Sequence, residues 1–374
     1  MHGIYIHIPF CKKKCFYCDF YTSLSLDYKE KYLSALNKEI ALRMDYLSNN
    51  EINTVYFGGG TPSVLNAKEI NEIFDTLSKY YIISKGAEIT LEANPDDLTE
   101  KYLKDLRKTP VNRLSIGIQS FFDDDLRLMN RRHSSGEAIR AVKFAQGFGF
   151  DNISGDLIYG LPNMTGEKWK ENLKIFFNLK IPHLSAYHLT YEPNTVFSKY
   201  LKNGKIKSVG EGSSNNFFDI LIGESENHDF RHYEISNFAK SGYFSQHNSS
   251  YWQQKEYLGL GASAHSYNKN SRQWNVSNLK KYIDRVGEGQ PYFEKEILSQ
   301  ADKYNDYVIT SIRTIWGIDT VLVKNIFGEK YYNFLIKNSQ KFISSNHIKI
   351  VGNTLLLTKK GMFISDMISE AIFY

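Results

Sequence analysis

The stretch YIHIPFCKKKCFYCDF runs from Tyr5 to Phe20. A short β-forming run, Ile4–Pro9, delivers the chain into a loop carrying Cys11, Cys15 and Cys18, the only 3 cysteines in 374 residues. An odd, clustered set of thiols is not a disulfide framework; in a reducing compartment it reads as a metal or redox site. A [4Fe-4S] cubane needs a thiolate on each protein-liganded iron, so C-x3-C-x2-C leaves one iron corner without a protein ligand. That suits a chemically active cluster better than a pure electron carrier. Lys12, Lys13 and Lys14 set positive charge beside an anionic cluster. A zinc knuckle completed by Asp19 or His7 and three inert buried thiols are the competing readings.

Further along, β-rich runs recur at Thr54–Phe57, Glu88–Asn94, Arg113–Gln119, Asn152–Tyr159 and His183–Leu189, separated by segments with helical periodicity. Leu33, Leu36, Ile40, Met44 and Leu47 mark one helix, and Ile70, Ile73, Phe74 and Leu77 another. Capping-box pairs Asp27/Glu30, Asn66/Glu69 and Ser134/Glu137 mark helix starts. Six β-then-α units imply an α/β fold with a parallel sheet and helices outside. Six are too few for a complete eight-fold barrel, which leaves a doubly wound sheet or an open, partial (β/α)6 barrel. In either, chemistry gathers at the carboxyl ends of the strands. CKKKC, GGGTP, EANPD, QSF and GDLIYGLP fall there.

Residues 1–195 therefore read as the core unit and 196–290, where the alternation weakens, as an extension packed on it. Residues 291–374 read as a small C-terminal unit. A helix is expected around Asp302–Ile315, followed near the chain end by a hairpin turning at Gly352-Asn353 and another helix, a winged-helix-like pattern.

Composition narrows the function classes. The hydrophobic fraction is 42% and the charged fraction 23%, ordinary for a globular chain. A net charge of +5 spread over 46 basic and 41 acidic residues gives no nucleic-acid footprint. No apolar run approaches a membrane span, and the N-terminus goes straight into a strand pattern rather than a signal peptide. The expectation is a cytoplasmic protein with no nucleic-acid partner.

Several other residues at strand ends carry polar chemistry. Gly59 and Gly60, within YFGGGTPS, let a ligand approach the backbone and expose amides to an anion, with Thr61 beside them; a tight βα turn is the plainer reading. Glu92 and Asp156 offer carboxylates for ribose hydroxyls or an amine. Gln119 and Arg131 follow the fourth strand, where Arg131 suits a carboxylate. Caps, surface pairs and structural hydrogen bonds are the alternatives for each.

Taken together, YIHIPFCKKKCFYCDF and GGGTP resemble the radical S-adenosylmethionine (SAM) superfamily. That resemblance implies three cysteines holding a [4Fe-4S] cluster and SAM chelating the fourth iron, to be cleaved by one electron into a 5′-deoxyadenosyl radical. RLSIGIQSF, NRRH, GDLIYGLP, YEISNFA and YLGLGASAHSY extend the likeness along nearly the whole chain, to the coproporphyrinogen III dehydrogenase-like branch. By motif position Tyr5, Tyr17, Gly59, Gly60, Thr61, Glu92, Gln119, Arg131 and Asp156 are then the expected SAM contacts. The fold it implies is the open (β/α)6 barrel with a small winged-helix-like C-terminal domain.

Within that branch, only ten residues precede Cys11 and no further cysteine follows Cys18. Both features point away from the dehydrogenases and toward their sister group, the radical SAM heme chaperones, which carry an H-N-x-x-Y-W motif. Here it is HNSSYW, His247–Trp252. A neutral imidazole is a good axial ligand, Tyr251 and Trp252 offer flat faces for a porphyrin, and Asn248 can orient the ring. An ordinary buried histidine is the alternative, and His265 is the second candidate ligand. The resemblance implies heme as cargo and apo-hemoproteins such as respiratory cytochromes as acceptors. It also implies flavodoxin or ferredoxin as electron donor, and it admits peripheral membrane association. Oxidative decarboxylation of coproporphyrinogen III is the rival activity.

Overall fold

The computed structural model describes residues 2–374. Its first half alternates strand and helix. β1 (Gly3–Ile8), α1 (Lys29–Leu42), β2 (Glu51–Gly59), α2 (Ala67–Leu77), β3 (Ile82–Ala93) and α3 (Glu100–Leu106) come first. They are followed by β4 (Arg113–Gln119), α4 (Asp123–Leu128), α5 (Ser135–Gly147), β5 (Asn152–Tyr159), α6 (Gly166–Asn178) and β6 (His183–His188). Strands β1 to β6 pair in sequence order and all in parallel. This is the expected open (β/α)6 barrel.

Every strand has two kinds of face. One side of the sheet is apolar: Ile4, Ile6, Val55, Phe57, Leu91, Leu114, Ile116 and Leu184 are fully buried in the main core. Helical residues such as Leu36, Ile40, Ile70 and Leu77 belong to the same cluster. The other side carries Tyr5, Tyr56, Glu88, Glu92, Arg113, Ser115, Ser154, Asp156 and His183. The period of two puts them on one surface, the barrel's inside. The hydrophobic drive thus acts on the outer layer, and the inside is held by polar pairing.

After β6 the chain forms α7 (Val196–Lys202), α8 (Glu211–Asn227), β7 (Arg231–Glu234), β8 (Asn237–Ala239) and α9 (Gln246–Trp252). Then come β9 (Tyr257–Leu260), β10 (His265–Tyr267), β11 (Ser271–Asn275), α10 (Leu279–Glu288) and β12 (Phe293–Ile297). These strands extend both edges of the sheet, in the order β12-β11-β10-β9-β1-β2-β3-β4-β5-β6-β8-β7. β9 is parallel to β1 and makes a seventh parallel strand. Its four residues, reached through α9 rather than a βα repeat, gave no sequence signal.

The remaining elements are α11 (Gln300–Ile312), β13 (Ile318–Asp319), α12 (Thr320–Phe327), α13 (Glu329–Ser344), β14 (Ile348–Val351), β15 (Thr354–Leu357), α14 (Lys359–Met362) and α15 (Ser365–Ile372). They surround a second core that includes Tyr304, Leu335 and Ile368. The β14–β15 hairpin turns at Gly352, whose φ is +60°. This unit meets β7 through backbone: the amide of Ile235 donates to the Arg313 carbonyl, and that of Ile315 to the Tyr233 carbonyl, each at 3.1 Å.

Two expected capping boxes are present, at Asn66/Glu69 and Ser134/Glu137. The third is not. Helix α1 starts at Lys29 after Tyr28, with no side-chain cap, and Asp27 instead accepts from the Ser25 hydroxyl at 2.7 Å. Ser134→Ala should cost about 1 kcal/mol by deleting the cap on α5, read as a lower urea midpoint with an unchanged m-value.

Candidate functional site

The loop after β1 is pinned on several sides. The Cys11 amide donates to the Ser23 carbonyl at 2.9 Å and the Phe16 amide to the Met129 carbonyl at 3.1 Å. The Asn130 side chain donates to the Lys14 carbonyl at 2.9 Å, and the Phe197 amide to the Phe16 carbonyl at 2.9 Å. Lys12 reaches buried Asp97 at 2.6 Å, which also accepts from Ser63 at 2.8 Å and Arg132 at 3.0 Å. The three-cysteine loop is therefore stitched to the segments that follow β3 and α4, to α7 and to the segment before α2.

All three thiols line one chamber of about 910 Å³ at the carboxyl ends of the strands. Cys11 Sγ lies 3.3 Å from the Thr61 hydroxyl. Arg131 donates to Cys15 Sγ at 3.3 Å and to the Tyr17 hydroxyl at 3.4 Å. Its other nitrogen donates to Asn94 and to the Gly117 carbonyl, each at 2.7 Å. Burial pushes the Cys11 thiol up and the Cys18 thiol to about 11. Among the described residues no three His, Cys, Asp or Glu side chains gather as a single-ion site. A cubane makes a different demand, since each thiolate takes its own iron. Three thiols spread along the rim of a polar chamber fit that demand.

The glycine run serves the chain itself. Gly59 has φ +107°, and a Cβ there would meet the His7 ring at 2.6 Å; one at Gly60 would lie 2.7 Å from the Phe10 carbonyl. Their smallness lets the end of β2 close on the start of the cysteine loop, and the Thr61 amide donates to that same Phe10 carbonyl at 2.8 Å.

Deeper in the chamber lie two carboxylates. Glu92 accepts from the Tyr56 hydroxyl at 2.8 Å and the Gly59 amide at 3.2 Å. Asp156 accepts from the Ser115 hydroxyl at 3.3 Å. Burial raises Glu92 to about 7 and Asp156 to about 6. Hydrogen bonds and Arg113 pull both back, while Asp156 adds to the rise at Glu92. Gln119 ends β4 with φ +68°, at a break in the β4–β5 register, and also faces the chamber.

Of the expected site residues, Cys11, Cys15, Cys18, Tyr17, Gly59, Gly60, Thr61, Glu92, Gln119, Arg131 and Asp156 line this chamber. Tyr5 is not on its wall. It sits one layer down, stacked on Tyr56 at 6.2 Å with its hydroxyl 3.1 Å from His7 Nδ1. His247 lies lower still and is 1% exposed. Its Nδ1 is 2.8 Å from the Thr54 hydroxyl and its Nε2 is 2.6 Å from the Tyr251 hydroxyl, so both ring nitrogens are engaged. His265 is exposed on β10, between β9 and β11 and away from the chamber wall. Sequence reasoning did not find Ser115, Asn94 or the far wall, where Arg313, Met362, Phe363 and Asp366 come from the C-terminal unit. Ser115 was legible only through the inward period of β4; the far-wall residues are distant in the chain and carry no motif.

Residues 5–176 match the model of the radical SAM superfamily. The chain is 35% identical over 387 residues to the heme chaperone HemW of Bacillus subtilis (strain 168), covering 98% of this chain and 100% of that protein. It is 36% identical over 276 residues to the heme chaperone HemW of Escherichia coli (strain K12), covering 70% and 69%. Among solved structures, the coproporphyrinogen III oxidase HemN of Escherichia coli, a radical SAM enzyme, superposes with a TM-score of 0.86 at 24% identity over 100% of this chain and 90% of that one. This last likeness establishes the fold. No helix among the described residues is long and apolar enough to cross a membrane.

Because Glu92 is held protonated more readily in the fold than in the unfolded chain, its contribution is fully favourable below pH 4.5 and is lost as pH rises through about 7. Glu92→Gln should therefore stabilise the cofactor-free protein at pH 8, by up to about 3 kcal/mol, seen as a higher melting temperature, and change it little near pH 4. Melting curves at both pH values check the sign.

Proposed function

The chain belongs to the HemW family of the radical SAM superfamily, and from that premise we propose that it is a heme chaperone that holds a [4Fe-4S] cluster and SAM. The observation that carries the reading is the full-length likeness to a heme chaperone, joined to a three-thiol loop opening on a polar chamber. Cys11, Cys15 and Cys18 would hold the cluster. Tyr17, Gly59, Gly60, Thr61, Glu92, Gln119, Arg131 and Asp156 would surround SAM, with Tyr5 supporting them from below. When bound, the cluster supplies a low-potential electron and an open iron site. The chain's own part is positional. Arg131 offers fixed positive charge, and Glu92 and Asp156 offer acceptors at adjustable protonation.

Heme is the proposed cargo, apo-hemoproteins such as respiratory cytochromes the acceptors, and flavodoxin or ferredoxin the reductant; a cytoplasmic place with peripheral membrane contact follows. His247 is the proposed iron ligand. Burial holds its imidazole well down, at about 3, so the ring is neutral, the form that ligates iron. Ligation through Nε2 requires the Tyr251 hydroxyl to yield. The proposed units are a radical SAM core over 1–195, an extension with the heme motif over 196–290 and a C-terminal domain over 291–374.

Cys15→Ser should abolish the brown absorbance and the iron and sulfide content of anaerobically reconstituted protein; retained colour overturns the ligand assignment. In a heme titration, Tyr251→Phe should tighten binding roughly two- to tenfold by removing the competing hydrogen bond, while His247→Ala loses the Soret shift. An unchanged Soret shift in both variants places the iron ligand elsewhere. Formation of protoporphyrinogen from coproporphyrinogen III, with SAM and reductant under anaerobic conditions, would favour the rival activity.

A further inference from the structure

We propose that His247 is a positioning residue of the SAM pocket: its ring fixes Tyr56, and Tyr56 aims Glu92 into the chamber. This rests on the reading of Glu92 as a SAM contact and adds to the heme motif a task on the opposite cofactor. The imidazole of His247 stacks on the Tyr56 ring at 5.0 Å with a 24° interplanar angle. Tyr56 in turn donates from its hydroxyl to Glu92 Oε1 at 2.8 Å. One side chain therefore separates the HNSSYW motif from a carboxylate of the chamber.

The histidine is held rather than merely buried. Thr54, two residues before Tyr56 on the same face of β2, engages Nδ1 at 2.8 Å, and Tyr251 engages Nε2 at 2.6 Å. Helix α9 is anchored through its first amides: those of Gln246 and His247 each donate to Glu88 at 3.0 Å. Glu88 lies on β3, the strand that carries Glu92 four residues on. The helix thus plugs the amino-terminal end of the barrel, and its histidine reaches up into the polar interior.

Two glycines clear the stack. A Cβ at Gly3 would lie 2.8 Å from the Thr54 hydroxyl and 3.2 Å from the His247 ring. One at Gly58 would lie 2.9 Å from both the Tyr5 and Tyr56 rings and 3.2 Å from Glu92 Oε1. Space is thus kept open at both ends of the same side-chain column. Its rings are stiff, with few torsions each, so a displaced imidazole leaves Tyr56 packed on Tyr5 alone and Glu92 with only the Gly59 amide as a fixed donor.

The test is a double-mutant cycle on SAM affinity, measured by equilibrium dialysis on anaerobically reconstituted protein. His247→Phe and Thr54→Val are each made in the parent and in a Glu92→Gln background; the second loosens the ring while leaving it in place. Each should weaken SAM binding roughly tenfold in the parent, the size expected of one hydrogen bond to a charged group. In the Glu92→Gln background each should cost less than about twofold, since the contact it acts through is gone. Iron and sulfide content should match the parent throughout. Unchanged affinity, or equal losses in both backgrounds, overturns the proposal and leaves His247 with the heme-ligand part alone. If His247→Phe fails to fold, Thr54→Val decides alone. Failure of the parent itself to bind SAM, with its cluster intact, removes the underlying reading as well and is distinguishable from either result.

Discussion

Polar side chains face one another across the inside of a parallel sheet, and each one taken from water must find a partner. That demand organises this protein. At the lower end the partners are protein: Glu88 takes two amides of α9, and His183 is shared between Ser154 and Tyr233 at 2.7 Å each. At the upper end the same rows continue into Glu92 and Asp156, where protein partners are fewer. Burial without full compensation is what lifts both carboxylates above their usual range. The barrel is sealed at its floor and open at its mouth, and the open part is the proposed SAM site.

The cysteine loop obeys a similar division. Almost nothing within it holds its shape; its backbone groups and Lys12 are tied to neighbours from five other parts of the chain. A loop fixed from outside can carry three thiols at its rim without spending them on its own stability. Buried Asp97 is central to this, because Lys12, Ser63 and Arg132 all converge on it. Arg132 neighbours Arg131, which touches Cys15, so the fastening and the chamber wall are consecutive residues.

Much of this was legible in the chain. The strands Arg113–Gln119 and Asn152–Tyr159 were marked by β-branched and apolar runs between turn residues, and the motifs at their ends fall around one chamber. Asn66 and Ser134 announced their helices because the cap and its glutamate are local. Asp27 misled for the converse reason: its carboxylate found a nearer donor in Ser25. Less legible were features created by long-range pairing. β9 to β12 are short strands whose identity comes from the sheet they join. The far wall of the chamber comes from residues more than a hundred positions beyond β6. HNSSYW drew notice through resemblance, yet nothing in its residues disclosed that the histidine would point into the barrel and rest on Tyr56.

An open barrel leaves two raw sheet margins, and the chain treats them differently. At β7 the C-terminal unit lays its own backbone alongside, so Glu234 and Ile235 meet Thr314 and Arg313. At β12 no such cover exists among the described residues, and the strand reads Phe293-Glu294-Lys295-Glu296-Ile297, with its three charged residues exposed. Alternating charge along an unpaired ladder discourages a second molecule from continuing the sheet. The open sheet is thereby guarded against templated self-assembly, the hazard that an incompletely closed β-structure carries into a crowded cell.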